Sequence, residues 1–82
     1  MNENSEIGEM RERIDEIDDE LIRLWRERAG LSQDIGAKRI AAGGTRLVLS
    51  REEVVLRRFR AGLGTEGVKL ALLLLQAGRG PL

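Results

Sequence analysis

The sequence predicts an all-α protein, with one long and two short helices per chain, in which two copies intertwine as a homodimer. Three observations carry this. Ile7, Met10, Ile14, Ile17, Leu21, Leu24, Arg28, Leu31 and Ile35 follow a strict 3-4-3-4 spacing, the a/d seam of a heptad, with Glu, Asp and Arg on the other faces. Glycine pairs at Gly43-Gly44 and around Gly62-Leu63-Gly64 cut the remainder of the chain into two short segments of helical pattern. Length then sets the assembly. A seam helix from about Ser5 to Ala42 spans roughly 54 Å at ~1.5 Å per residue, whereas a compact globule of this size has a radius of gyration near ~12 Å. The helix overshoots its own chain, so a second chain must cover its seam.

Each element follows from local chemistry. No proline interrupts the first helix, and Gly30 and Gly36 inside it cost roughly 1 kcal/mol each. Thr45 to Leu49 reads as an extended loop. Ser50-Arg51-Glu52-Glu53 has the form of a capping box, which places Ser50 as N-cap of a second helix running to about Ala61. Thr65 is placed as cap of a third helix over Val68 to Ala77. Its run Leu70-Ala71-Leu72-Leu73-Leu74-Leu75 is apolar almost all round and predicts burial on most sides. The 82 residues form one domain, with 1–6 expected as a flexible tail.

Composition excludes several kinds of chemistry. The chain has no Cys and no His, which rules out disulfides, thiolate metal sites and the commonest general base and metal ligand. No metal or cofactor is expected. The acidic start Met1-Asn2-Glu3-Asn4-Ser5-Glu6 is the opposite of a signal peptide, and Leu70–Leu75 is too short to span a bilayer. A soluble, cytoplasmic protein is expected, with no membrane partner. Net charge is zero but lopsided: residues 1–20 hold nine acids against Arg11 and Arg13. Twelve of the fourteen bases are arginine, whose planar fork matches carboxylates. An arginine-biased genome accounts for part of that count, so position matters more than number. With Trp25 and Phe59 the only aromatics, and an acidic first helix, nucleic acid is not expected as a partner.

Arg28 is the anomaly, because it stands where the seam demands an apolar side chain. It either snorkels out or pairs with an acid such as Glu27, Asp34 or Glu52, or it serves a ligand. Arg39 favours the ligand. Eleven residues on, it lies only about 20° round the helix and about 16 Å along it, with Ser32 and Ile35 between. Two cations bracketing a semi-apolar gap suit a compact dianion. Arg11 lies about 26 Å from Arg28 on the same helix, so only an antiparallel second chain would bring it alongside. Arg51 and Glu52 open the second helix, where Glu52 suits the helix dipole and Arg51 does not. Arg46, Arg57, Arg58 and Arg60 read as solvated-face residues. No Ser stands beside a base and no carboxylate pair stands out. An arginine pocket suits a reaction needing only conformational restraint and stabilisation of growing negative charge.

With Met10-Arg11-Glu12-Arg13-Ile14-Asp15-Glu16-Ile17-Asp18, then Glu27-Arg28-Ala29 through Ile35-Gly36-Ala37-Lys38-Arg39, and Ser50-Arg51-Glu52, the chain resembles the all-α chorismate mutases. The segments Gly43–Val48 and Leu72–Gly80 resemble their short stand-alone bacterial branch. The resemblance implies a domain-swapped dimer with two pockets that turn chorismate into prephenate by a Claisen rearrangement, without cofactor. By the same resemblance Arg28 and a second copy's Arg11 hold the carboxylates and Arg39 meets the ether oxygen. Arg51 supports that end, Glu52 binds the ring hydroxyl, and Ser32 and Ile35 line the wall. Val48 stands where many members carry an aspartate that helps hold substrate. Gln76 or Arg79 takes the place of a third-helix glutamine on the ether oxygen. Some members of the branch are activated by 3-deoxy-arabino-heptulosonate-phosphate (DAHP) synthase, which makes that enzyme an expected partner. The alternatives are 4-amino-4-deoxychorismate mutase or isochorismate pyruvate lyase chemistry on the same fold, and a non-catalytic regulatory or dimerisation module.

Overall fold

The computed structural model describes residues 3–80, which form three helices: α1 (Glu3–Ala41), α2 (Leu49–Leu63) and α3 (Thr65–Arg79). Of the segment expected as a tail, residues 3–6 are helical and 1–2 lie outside the described residues. The molecule measures 62 × 23 × 16 Å with a radius of gyration of 17.2 Å, far above the ~12 Å of a compact globule this long. The excess is α1. Its surface is laced by Arg13–Glu16, Arg23–Glu20 and Arg23–Glu27 pairs one turn apart, and Lys38 and Arg39 in the last turn suit its dipole.

The two short helices are longer than the sequence predicts, and their ends are made differently. Val48, in extended backbone, is the N-cap of α2, and its carbonyl accepts from the N–H groups of Arg51 and Glu52 at 3.1 Å. Ser50 therefore lies inside the first turn and forms no capping box. Thr65 is likewise the first residue of α3 rather than its cap. Gly64 alone separates α2 from α3, at φ 71°, a backbone state that suits glycine. Its N–H closes α2 on the Arg60 carbonyl, and its own carbonyl accepts from Gly67 at 3.0 Å. One residue in the left-handed region does the work expected of a longer loop.

α3 packs on both other helices, so α2 is held to α1 through it. Val55, Ala71 and Leu74 form the small buried core. Two buried glycines let the backbones close. A Cβ at Gly67 would overlap the Phe59 carbonyl of α2, and one at Gly78 would lie 2.7 Å from Ser32 Cβ of α1. The Arg28 guanidinium reaches the Leu74 carbonyl at 3.3 Å, and Gln33 donates to the Ala77 carbonyl at 3.2 Å. These pairings rise together along both helices, so α1 and α3 run in the same direction where they touch.

The expected burial of α3 is not met within one chain: Leu70, Leu72 and Leu73 are exposed. The same holds for the first six seam residues of α1, Ile7 to Leu24, which are 42–65% exposed. No helix among the described residues is long and apolar enough to cross a membrane.

Candidate active site

The C-terminal half of α1, the loop after it, the start of α2 and the last turn of α3 enclose a cavity of about 750 Å³. α1 supplies Arg28, Ser32, Ile35 and Arg39; these share one face because their spacings of four, three and four residues follow the helical repeat. Val48, Arg51 and Glu52 line it from the loop and α2, and Arg79 lines it from α3. Eight of the ten residues singled out from the sequence thus meet in one place.

Arg11 and Gln76 do not. Arg11 is exposed on the free half of α1, away from the cavity. Gln76 is exposed because the cavity face of α3 carries Leu75, Gly78 and Arg79; position 76 lies roughly 100° round the helix from their centre. Its backbone carbonyl accepts from Gly80, which ends α3 at φ 69°. Arg46, which the sequence suggests is a solvated residue, is exposed and also borders the cavity. The turn at Gly43-Gly44 folds the loop back over α1, a reversal that the glycine pair signals.

The lining residues include five arginines (Arg28, Arg39, Arg46, Arg51 and Arg79) and one acid, Glu52. Arg28 pairs with none of Glu27, Asp34 and Glu52; its hydrogen bond goes to a backbone carbonyl. Burial lowers its pKa from the usual arginine value, and the positive charges of Arg51 and Arg58 push the same way. Arg28 thus sits in surroundings that disfavour its charge until an anion arrives. Arg39 is set differently. Gly44 N–H returns to the Arg39 carbonyl at 2.8 Å, and a Cβ on Gly44 would come within 2.6 Å of Arg39 Cγ. The Arg39 guanidinium makes long contacts of 3.5 Å to the Thr45 and Arg46 carbonyls, weak tethers that a stronger acceptor can replace. Glu52 is gripped by Arg79, with Nε 3.1 Å from Oε2. Among the described residues no cluster of three or more acidic groups is arranged to hold a metal ion. The cavity offers a field of donors for a small dianion, with one carboxylate to accept from a hydroxyl.

Residues 10–74 match the family model of type II chorismate mutases. The chain belongs to that family. It is 49% identical over 77 residues to the intracellular chorismate mutase of Mycolicibacterium smegmatis, covering 94% of this chain and 74% of that one. It is 51% identical over 77 residues to the intracellular chorismate mutase of Mycobacterium tuberculosis, covering 94% of this chain and 72% of the relative. Among solved structures, it superposes with a TM-score of 0.91 and 43% identity on a chain from Corynebacterium glutamicum, with 96% of this chain and 95% of that one covered. That structure is a non-covalent complex of DAHP synthase and chorismate mutase with a bound transition-state analogue. Of the chemistries weighed on this fold, the mutase reaction is the one these relatives carry.

Proposed function

We propose that this chain rearranges chorismate to prephenate in its arginine-lined cavity, and that each cavity is completed by a second copy bound antiparallel. The observation that carries the site is its charge: five arginines and a single acid among the lining residues. In this rearrangement the ether C–O bond breaks as a C–C bond forms within one molecule, so no group needs to act as nucleophile or proton carrier. What the protein supplies is a compact conformer and cations placed where charge grows. Arg28 and a second copy's Arg11 hold the two carboxylates. Arg39 meets the ether oxygen and Arg51 supports that end. Glu52 accepts the ring hydroxyl, while Ser32, Ile35 and Val48 shape the wall.

The homodimer is supported by the bare apolar seam of α1 and by charge. An antiparallel pair lays the acidic first twenty residues of one copy along the arginine-bearing half of the other. It also carries Arg11 to the cavity that its own chain cannot reach. Mixing tests this. Arg11→Ala and Arg39→Ala chains, each close to inactive, should recover about a quarter of wild-type activity after co-refolding, because half the dimers are mixed and each holds one intact pocket. Activity no higher than the average of the two parents would sink the shared pocket.

The primary assay is loss of chorismate absorbance with purified protein, with prephenate identified as product. Absence of turnover, with and without synthase, would overturn the reading. DAHP synthase is proposed as a partner that raises activity. The structural relative seen in such a complex supports this, as does Val48 in place of an acid that would hold substrate. An unchanged kcat/KM under conditions where the two proteins demonstrably associate would refute it. A cytoplasmic setting agrees with relatives named as intracellular enzymes.

A further inference from the structure

Glu52 and Arg79 are 27 residues apart in sequence, on two different helices, yet they meet in the cavity wall. Their side chains are only 18% and 24% exposed. Arg13–Glu16, Arg23–Glu20, Arg23–Glu27 and Lys69–Glu66 are of another kind: each joins neighbours on one helix, and every side chain in them is more than half exposed. Solvent-exposed pairs of that sort hold little in place, whereas a covered pair between two elements has few ways to rearrange.

The base of Arg79 is also fastened. Gly78, one residue before it, is buried directly against Ser32 of α1. The Ala77 carbonyl is held by Gln33, and Gly80 turns the chain out of the helix immediately afterwards. The last turn of α3 therefore presents its guanidinium at a set height on the cavity wall. Glu52 faces it from the first turn of α2. Without a dedicated partner, a carboxylate in this lining would have other arginines along the same wall to turn towards, Arg39 and the adjacent Arg51 among them. Any such collapse would cancel a cation that the substrate needs.

We infer that Arg79 is a positioning residue: its Nε–H occupies one oxygen of Glu52, keeping that carboxylate off the substrate-binding arginines and leaving its second oxygen for the substrate's ring hydroxyl. The inference rests on the mutase reading and deepens it. Arg79 acts through Glu52, where the family resemblance suggests direct contact with the ether oxygen.

A double-mutant cycle tests it. Arg79→Ala should lower kcat/KM for chorismate by roughly tenfold or more in the wild-type background, the scale of one charge-assisted hydrogen bond. In a Glu52→Gln background the same change should cost less than about twofold, because the group it acts through is already altered. Arg79→Gln, which keeps most of the aliphatic packing, serves as the second variant, with far-UV helicity and dimer size as folding controls. Calorimetry with two bicyclic dicarboxylate ethers, one bearing the ring hydroxyl and one lacking it, gives a reading independent of turnover. Both Arg79 variants should bind the hydroxyl-bearing ether more weakly and the other unchanged. Equal losses for both compounds, or additive effects in the cycle, would overturn the inference and place Arg79 on the substrate itself. A wild-type chain that binds neither compound and turns over no chorismate overturns the mutase reading, and this inference with it.

Discussion

The two halves of α1 are one continuous helix but differ in what packs on them. From Arg28 onward its inner face carries the cavity, and Ser32 meets Gly78 with no room for another carbon. From Ile7 to Leu24 no other helix packs on it, and the seam side chains are about half exposed, as Leu31 and Ile35 also are beside the cavity. Fully burying one such side chain contributes about 1.5–3 kcal/mol, so covering the half of each of these six that is exposed would add a large fraction of the ~5–15 kcal/mol that keeps a domain folded. One half of the helix is paired with its own α3, and the other has no neighbour within the chain, which is where the proposed second copy would lie.

Breaking the bare half should have the largest effect. Leu21→Glu places a charge in the middle of the uncovered seam, where the chain's own packing has nothing to lose. If a second copy covers that seam, the variant should become monomeric by analytical ultracentrifugation and lose nearly all mutase activity, since neither pocket then receives Arg11. A monomer that keeps its activity would dissolve the contrast between the halves.

Arg39→Ala, in the packed half, should separate activity from assembly. kcat should fall by about two to three orders of magnitude, as when one donor to a developing oxyanion is removed. The dimer should remain, because the Arg39 side chain packs on Gly44 and its own loop rather than on the seam. Loss of the dimer in this variant would mean the halves are not separable.

Much of this architecture is legible in the sequence, and the parts that are not share a cause. The heptad seam identifies α1, its length and the anomaly at Arg28, because helical periodicity is a local property. Of the eight candidate site residues that meet in the cavity, Arg28, Ser32, Ile35 and Arg39 follow from their places on α1 and Arg51 and Glu52 from the head of α2, whereas Val48 and Arg79 come from the family resemblance alone. The helix caps mislead because Ser50 and Thr65 have capping chemistry, while the Val48 backbone and the left-handed Gly64 are what start α2 and α3. No residue type announces which of two adjacent groups the fold will use. Composition predicts burial for Leu72 and Leu73, yet apolarity does not say whether the covering atoms belong to the same chain. The place of Arg46 at the cavity edge and the roles of the glycines at 44, 67 and 78 depend on contacts between segments distant in sequence or on how a loop returns, which spacing along one helix does not encode.

Two smaller changes sharpen the picture of the packed half. Gly78→Ala inserts a methyl group between α3 and α1 where Ser32 leaves no space, and should cost about 1–3 kcal/mol by urea denaturation. A change within a few tenths of a kcal/mol would show that this contact is loose. Arg28→Ala should do the least to stability. It removes a partly desolvated cation that lies beside Arg51 and Arg58, so the midpoint should hold or rise slightly while activity falls. A marked loss of stability would assign Arg28 to the structure rather than to the ligand.

The spacing of Arg11 and Arg28 along one rigid helix also has a consequence for saturation kinetics. In an antiparallel pair each Arg28 meets the other copy's Arg11, so the two binding stations lie about 26 Å apart along the axis. At physiological ionic strength charges are screened over about 8 Å, a third of that distance. A dianion in one pocket then exerts almost no field on the other. Chorismate saturation should be hyperbolic, with a Hill coefficient of one, and any sigmoidal response would have to enter through a bound partner rather than from one pocket to its twin.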